Sequence, residues 1–291
     1  MAPKLWKYCN TKKVLTIHNS CNTVSHVANI LPTDKKIQVI AALAEGSARI
    51  HRDTIMRLGV KVGQGCTRLM DEKMRELECR RLEMDEIWGF VGKKDRNVKP
   101  GDVAKGSVRT FCAIDAETKL VLAFKVGNRD AATADAFMQD VAARMKNRLQ
   151  ISTDGLNAYV AAIEKAFGGD VDYGQIVKTY GPNEVNGVRR YSPPAFVSCE
   201  KKHINGAPDD SLISTSYVER LNATTRHHMR RLTRLTLPFS KKLENFEAAV
   251  GLHFAYYNFV KRHNTLRCTP AIAAGIESSF WKVGDLVEAT A

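Results

Sequence analysis

Three carboxylate side chains lie on three different predicted elements of this 291-residue chain. Asp85 lies inside an apolar strand, Asp154 ends a short strand, and Glu219 lies near the start of a basic helix. A carboxylate inside an apolar strand is costly to bury unless it is paired, hydrogen-bonded or bound to a metal ion. Three converging carboxylates raise one another's pKa values, and two divalent cations would remove that repulsion. The acids therefore predict two Mg²⁺ ions, which Mn²⁺ could replace, supporting an in-line phosphoryl displacement.

Each acid taken alone also has an ordinary structural interpretation. Asp85 could cap a strand end or pair with an arginine, Asp154 belongs to an Asp-Gly turn signal, and Glu219 could complement a helix dipole. We favour the catalytic interpretation because of the order of the elements that carry the acids. Asp115 is the main rival for the first acid, and we interpret it as a hairpin-turn residue. Glu86 follows Asp85 and is predicted to point to the opposite face of the strand.

A strongly basic segment, 216–242, is predicted to form a helix with Glu219 near its start. At about 100° per residue, Arg226 and Arg230 share the face of Glu219. An acid beside such a face repels phosphate unless it holds a divalent metal against that phosphate. The residues predicted to bind nucleic-acid phosphates are Arg226, Arg230, Arg231, Arg234, Lys241, Lys242, Arg52 and Arg57. The formal net charge of +13 agrees with a double-stranded DNA partner, although a merely basic soluble protein could carry the same charge.

Composition argues against other classes of protein. No apolar run reaches the roughly 18 residues that a membrane span needs, and the first residues lack the apolar core of a signal peptide. The seven cysteines are scattered and odd in number, with no CxxC pair. This pattern indicates reduced thiols rather than a disulfide framework or a zinc ribbon. We therefore expect a cytoplasmic protein that is associated with the nucleoid.

The first part of the chain carries only helical patterns. Residues 1–32 have no clear period and are expected to be poorly ordered. Helices are predicted at 33–45, at 51–58 and at 66–79. Two short basic helices suggest a truncated helix-turn-helix within a DNA-binding region at 33–79. A plain helical hairpin explains the same pattern equally well.

From residue 80 the pattern changes to strands that alternate with helices. Strands are predicted at 82–92, 108–116, 119–127, 150–155 and 172–180, and helices at 132–149 and 156–168. A long loop at 181–214 precedes the basic helix, and a further helix covers 241–262. This order predicts an α/β protein with a mixed sheet flanked by helices, as in ribonuclease-H-like folds. The catalytic domain would span 80–240, followed by a C-terminal helix and tail at 241–291.

Several stretches resemble DDE-type insertion-sequence transposases, most closely the insertion sequence one family in its zinc-free, single-frame branch. They are RRLEMDEIWGFVGKK, TFCAIDAETKLV, STDGLNAY, TSYVERLNATTRHHMRRLTRLTLPFSKKLENF and LHFAYYNFVKRHNTLRCTPAIAAGI. The resemblance implies a ribonuclease-H-like domain whose catalytic and metal-binding triad is Asp85, Asp154 and Glu219. It also implies Mg²⁺-dependent strand cleavage and strand transfer on double-stranded DNA, carried out by a homodimer on paired element ends.

Two other functions agree with the same residues. One is a ribonuclease-H-like nuclease that hydrolyses DNA without strand transfer, and it differs only in whether a 3′-hydroxyl end can act as the nucleophile. The other is a DNA-end-binding protein that has lost catalysis. That protein would bind without metal and would be indifferent to Glu219→Gln.

Overall fold

The computed structural model describes residues 52–181, 184–185, 188–189, 195–233 and 239–290. The predicted lead at 1–32, the predicted helix at 33–45 and the predicted DNA contact Arg234 lie outside these residues. None of the helices in the described ranges is both long enough and apolar enough to span a bilayer.

Helices and strands alternate over most of the described chain. The helices are α1 (Arg52–Lys73), α2 (Ala131–Ala142), α3 (Asn157–Phe167), α4 (Ser216–His228), α5 (Leu243–Ala255), α6 (Pro270–Ala273) and α7 (Val283–Glu288). The strands are β1 (Arg81–Val91), β2 (Gly106–Asp115), β3 (Val121–Gly127), β4 (Leu149–Asp154), β5 (Val171–Tyr180), β6 (Glu184–Val185), β7 (Val188–Arg189) and β8 (Phe196–Asn205). Short 3₁₀ turns cover Asp95–Asn97 and Arg230–Leu232, and a π-helical turn, Tyr256–Val260, continues α5.

The core of the fold is a six-stranded mixed sheet in the order β3-β2-β1-β4-β5-β8. β1, β2 and β3 form an antiparallel meander, while β4 pairs in parallel with β1 and with β5. The five strands that build most of this sheet are those predicted from the sequence. The predicted α/β class with helices flanking a mixed sheet is confirmed, and the strand order is consistent with a ribonuclease-H-like fold.

Helices cover both faces of the sheet. Phe111 and Cys112 are neighbours on β2, so their side chains point to opposite faces. The Phe111 ring lies 5.8 Å from that of Phe137 on α2 and 6.0 Å from that of Tyr159 on α3. The Cys112 thiol instead contacts Asn222 on α4 at 3.4 Å. The sheet is therefore the central layer, with α2 and α3 on one side and α4 on the other.

The predicted loop at 181–214 is wrong in part, because it contains β8 and the small β6–β7 hairpin. β8 pairs with β5 along the sheet edge, and nine of its ten residues are exposed. A strand without a buried face has no need for alternating apolar residues, and its sequence FVSCEKKHIN shows no clear alternation. Asp115, by contrast, is a turn residue as predicted: it accepts hydrogen bonds from the Glu117 backbone and the Thr118 hydroxyl.

The helices predicted at 51–58 and 66–79 are one continuous helix, α1, which ends at Lys73. Within α1, Gly63 allows close packing against α5. A Cβ on Gly63 would overlap the backbone carbonyl of Ala248, and a Cβ on Gly251 would lie 2.8 Å from the Gly63 carbonyl oxygen. Only glycine lets the two backbones approach so closely.

The basic helix is shorter than predicted, because α4 ends at His228. Met229 has an extended backbone and is buried, and a 3₁₀ turn follows it. The predicted common helical face of Glu219, Arg226 and Arg230 is therefore wrong at Arg230. The helix predicted at 132–149 also ends early, at Ala142.

The packing of α1 on α5 predicts opposite effects for two glycine substitutions in α1. Gly63→Ala should lower the free energy of unfolding by about 1 to 3 kcal/mol, because the added carbon has no room. The matched control Gly59→Ala has open space and should raise it by about 0.5 to 1 kcal/mol. Urea denaturation of both variants measures this, and equal effects would contradict the close approach of the helices.

Candidate catalytic carboxylate site

The site begins where β1 and β4 stop pairing. Their parallel register runs from Arg81 opposite Gln150 to Met84 opposite Thr153. Asp85 and Asp154 are the next residues on each strand, so both carboxylates lie at the same edge of this strand pair. Asp154 also accepts a hydrogen bond from the Leu156 backbone at 3.1 Å, so it shapes the turn into α3 as well.

Glu86 completes the group of carboxylates at this edge. Oxygen atoms of Asp85, Glu86 and Asp154 all lie within 4.8 Å of one another. The Glu86 side chain leaves β1 on the face of α3, as the strand alternation predicts, and an oxygen lies 3.5 Å from the Tyr159 hydroxyl. Its oxygens nevertheless meet the others, because β1 has no β4 partner beyond Met84. Glu86 was not predicted from the sequence to be a site residue.

Arg129 links two of these acids and was not predicted from the sequence. Its Nε donates to Glu86 Oε1 at 2.6 Å, and its Nη2 lies 4.0 Å from Asp154 Oδ2. Burial and the charge of Asp154 raise the pKa of Glu86, whereas Arg129 opposes that rise. The strand order contains one signal that could have identified Arg129. β1 and β3 are both antiparallel to β2, so the segment after β3, which carries Arg129, emerges at the same side of the sheet as Asp85 on β1.

Asp85 is the most strongly perturbed acid of the group. Its Oδ1 accepts from the Glu86 backbone at 2.8 Å, and its Oδ2 accepts from Asn222 Nδ2 at 2.7 Å. Burial is the largest cause that raises its pKa, and the charges of Glu86, Asp154 and Glu219 add to it; against the Glu86 backbone hydrogen bond, they bring the pKa to about 7. Near neutral pH the Asp85 carboxyl therefore exchanges its proton readily, and a bound cation would replace that proton.

Glu219 lies outside the group of three carboxylates. It occupies the first turn of α4, where it forms an ion pair with Lys178 on β5 and accepts from the Thr215 hydroxyl at 2.6 Å. Burial lowers the pKa of Lys178, but its hydrogen bond and attraction to Glu219 outweigh that effect and raise it. The structure thus brings together Asp85 and Asp154 of the predicted triad, while Glu219 is held on Lys178 and acts on Asp85 through its charge.

A further buried acid, Glu83, fixes the helix that carries Glu219. Its Oε2 accepts from the backbone amides of Tyr217 and Val218 in the first turn of α4, at 2.7 and 3.1 Å. Its other oxygen is buried without a hydrogen-bond partner among the described residues. Burial raises the pKa of Glu83, and the two backbone hydrogen bonds counteract that rise. This contact, together with Asn222 on Asp85, docks α4 onto β1.

The predicted DNA-binding cations fall into two groups. Arg226 and Arg231 are half-buried and bind the protein itself: Arg226 donates to the Leu232 carbonyl at 2.9 Å, and Arg231 to the Ser240 hydroxyl at 2.7 Å. Burial lowers the pKa of Arg231. The cations that lie exposed on the surface are Arg57, Arg230, Lys241 and Lys242. Arg52 begins α1.

The chemistry of the donor set fits a divalent cation. The oxygens of Asp85, Glu86 and Asp154 are hard ligands of the kind that Mg²⁺ binds. Repulsion among these acids contributes to the raised pKa values of Asp85 and Glu86, and a cation would relieve it. These three side chains are the ones that would hold such an ion.

No protein-family model matches this chain, and no curated protein matches it in sequence.

Removing the Asp85 charge should stabilise the metal-free protein. The pKa of Asp85 is about 3.9 in an unfolded chain and about 7 in the folded protein. Ionisation of the Asp85 carboxyl therefore lowers the free energy of unfolding as pH rises from about 3.9 to about 7. In EDTA at pH 8, Asp85→Asn should raise the free energy of unfolding by about 1 to 3 kcal/mol, with little effect at pH 4. Chemical denaturation across this range measures the difference.

Asp154→Asn is the matched control for that experiment, because the Asp154 side chain is 39% exposed and its charge is better solvated. It should stabilise the protein less than Asp85→Asn does. A stability difference between wild type and Asp85→Asn that does not change from pH 4 to pH 8 would contradict the assigned cause.

The docking of α4 predicts different outcomes for two substitutions of Glu83. Glu83→Ala leaves two buried helix amides without an acceptor and should cost about 2 to 4 kcal/mol of the free energy of unfolding. Glu83→Gln keeps an acceptor oxygen and should cost about 1 kcal/mol or less. Urea denaturation distinguishes them, and equal losses would show that the acceptor role is wrong.

Proposed function

We propose that this protein is a DDE-type DNA transposase that cleaves DNA strands at the ends of an insertion sequence and joins them to target DNA. One observation carries the proposal: Asp85 and Asp154 converge at one edge of parallel neighbouring strands, in a sheet with ribonuclease-H-like strand order. The helix that crosses this site, α4, carries Glu219, the third acid of the proposed triad.

The chain's own residues would prepare the site for phosphoryl transfer. Asp85 and Asp154, together with Glu86, would hold the divalent cations, Mg²⁺ or Mn²⁺. Asn222 would fix the orientation of Asp85 through its 2.7 Å hydrogen bond. Two such cations supply Lewis-acid stabilisation of the attacking and leaving oxygens. Arg129 neutralises Glu86 and keeps that carboxylate close to the reacting groups.

Glu219 takes a conditional role in this proposal. Without bound cations, the other carboxylates repel Glu219, and its ion pair with Lys178 holds it in the first turn of α4. Divalent cations held by the neighbouring carboxylates would attract the negative charge of Glu219, which would then serve as a further ligand. Lys178 would then be available for a DNA phosphate.

Double-stranded DNA is the proposed partner. The exposed cations Arg57, Arg230, Lys241 and Lys242 would contact phosphates of the backbone, and these contacts position a duplex without reading its sequence. A homodimer on paired element ends and a cytoplasmic, nucleoid-associated location belong to the same proposal.

A strand-transfer assay tests this function. Purified protein is incubated with a DNA fragment ending in a 3′-hydroxyl and with a supercoiled plasmid, in Mg²⁺ or in EDTA. Wild type should give joined product in Mg²⁺ and none in EDTA. With Asp154→Asn the yield of joined product should fall by about 100-fold or more. Even the outer-shell partners of metal ligands contribute about 10- to 100-fold to metal affinity or activity, and a ligand itself should contribute at least as much.

The control variant is Asp170→Asn, which makes the same chemical change at a side chain that is 78% exposed and lies outside the carboxylate group. It should join DNA as wild type does. Nicking without joining would favour a nuclease of the same fold, and tight DNA binding without any reaction would favour a protein that only occupies DNA ends.

A further inference from the structure

A cationic cavity lies on a second flank of α4, away from Glu219. It has a volume of about 950 Å³ and is formed by α4, the turn between β2 and β3, and the segment 261–267. Its lining carries the positively charged residues Lys119, Arg220, Lys261, Arg262 and Arg267. We propose that this cationic cavity binds the phosphodiester backbone of DNA, as a site distinct from the carboxylates.

The charge of the cavity is almost entirely of one sign. Glu117 is the one acid in its lining, and none of the five Lys and Arg side chains forms an ion pair with a carboxylate in the part of the chain that the structure describes. Many other Lys and Arg side chains of the described residues are paired with acids, as Arg75 is with Asp71 and Lys165 with Asp135. Cations gathered without counter-charge repel one another, and a bound polyanion would relieve that repulsion.

Three half-buried side chains of the lining have lowered pKa values. Burial lowers the pKa of Lys119 and of Lys261. Burial also lowers the pKa of His263, and the positive charges of Lys119, Lys261 and Arg220 lower it further. The His263 ring therefore lies among positive charges, which favour an anion at this part of the lining.

The segment 261–267 is folded back on itself, which fixes its backbone and the side chain of Arg262. The His263 amide donates to the Cys268 carbonyl, and the Arg267 amide donates to the His263 carbonyl, both at 2.9 Å. Arg262 Nε donates to the Arg267 carbonyl at 2.6 Å, and its guanidinium lies 5.4 Å from the centre of the Phe280 ring. Side chains that are ordered before binding lose less entropy when a ligand arrives.

The size of the cavity favours a strand over a single small anion. Its cations come from three separate segments, and Arg220, Arg262 and Arg267 are exposed, so they could contact successive phosphates. Tyr217 adds an exposed aromatic ring to the lining, with the Lys119 ammonium 3.0 Å from its centre. Tyrosine hydroxyls are common partners of phosphate and sugar oxygens.

One helix connects this cavity with the proposed active site. Glu219 faces Lys178 on β5, while Tyr217, Arg220 and Thr224 line the cavity. DNA held in the cavity would therefore lie against the same helix that presents the third acid. The choice of DNA as the polyanion rests on the proposed function, whereas the presence of a polyanion site rests on the cavity alone.

Fluorescence anisotropy with the full-length protein tests the inference. The probe is a fluorescein-labelled 30-base-pair duplex, titrated in EDTA over a series of KCl concentrations. The variant Arg220→Gln with Arg267→Gln should bind at least about 10-fold more weakly than wild type, and the slope of log K against log[KCl] should fall by about 2 in magnitude, since each phosphate contact contributes about 1.

The control variant Arg75→Gln with Lys165→Gln removes the same net charge from exposed ion pairs elsewhere. It should bind DNA and respond to salt as wild type does. Equal weakening by both double variants would overturn the proposal, because the effect would then come from net charge alone. Displacement of the duplex by poly-glutamate at equal charge concentration would also overturn it, in favour of an acidic protein partner.

The experiment separates this inference from the proposed function. If the wild type joins no DNA but the cavity variant loses binding, the cavity inference stands and the transposase proposal falls. If the wild type joins DNA and the cavity variant binds normally, the cavity inference alone falls.

Discussion

The parallel register of β1 and β4 fixes where the carboxylates of the site lie. It ends at Met84 and Thr153, and so it places two carboxylates side by side at one edge of the strand pair. The Glu86 carboxylate can approach these two because β1 has no β4 partner beyond Met84. Gathering acids in this way costs stability, as the raised pKa of Asp85 shows, and the neighbouring elements are arranged to hold the group together.

The compensating contacts come from several parts of the chain. Arg129, after β3, binds Glu86, and Asn222 on α4 donates to Asp85. Lys178 on β5 holds Glu219, while buried Glu83 accepts the first amides of α4. α4 is thus attached to β1 at two points and presents different residues on different flanks: Glu219 toward Lys178 on β5, and Arg220 toward the cationic cavity. This arrangement explains how catalysis and DNA binding could share one helix.

The sequence predicts the parts of this structure that depend on local apolar patterns. The sequence predicted β4, β5 and the three strands of the meander, because these strands are buried and their apolar residues are continuous or alternating. β8 was missed because it is an exposed edge strand whose partner, β5, is distant in sequence. The continuity of α1 was missed because Gly63 resembles a helix breaker, and its close contact with α5 is visible only in three dimensions. Asp85 and Asp154 were predicted from their strands, whereas Arg129, Lys178 and Glu83 join the site through tertiary contacts that leave no local pattern.

In the proposed function, the carboxylates of Asp85, Glu86 and Asp154 are gathered to bind divalent cations. Anomalous diffraction at the manganese edge, from crystals grown with Mn²⁺, tests this metal binding. We expect an anomalous peak between the carboxylates of Asp85 and Asp154, and no such peak for Asp154→Asn. A structure of the wild type at saturating Mn²⁺ with no peak there, and with Arg129 still bound to Glu86, would show that the group is a buried ion-pair network and not a metal site.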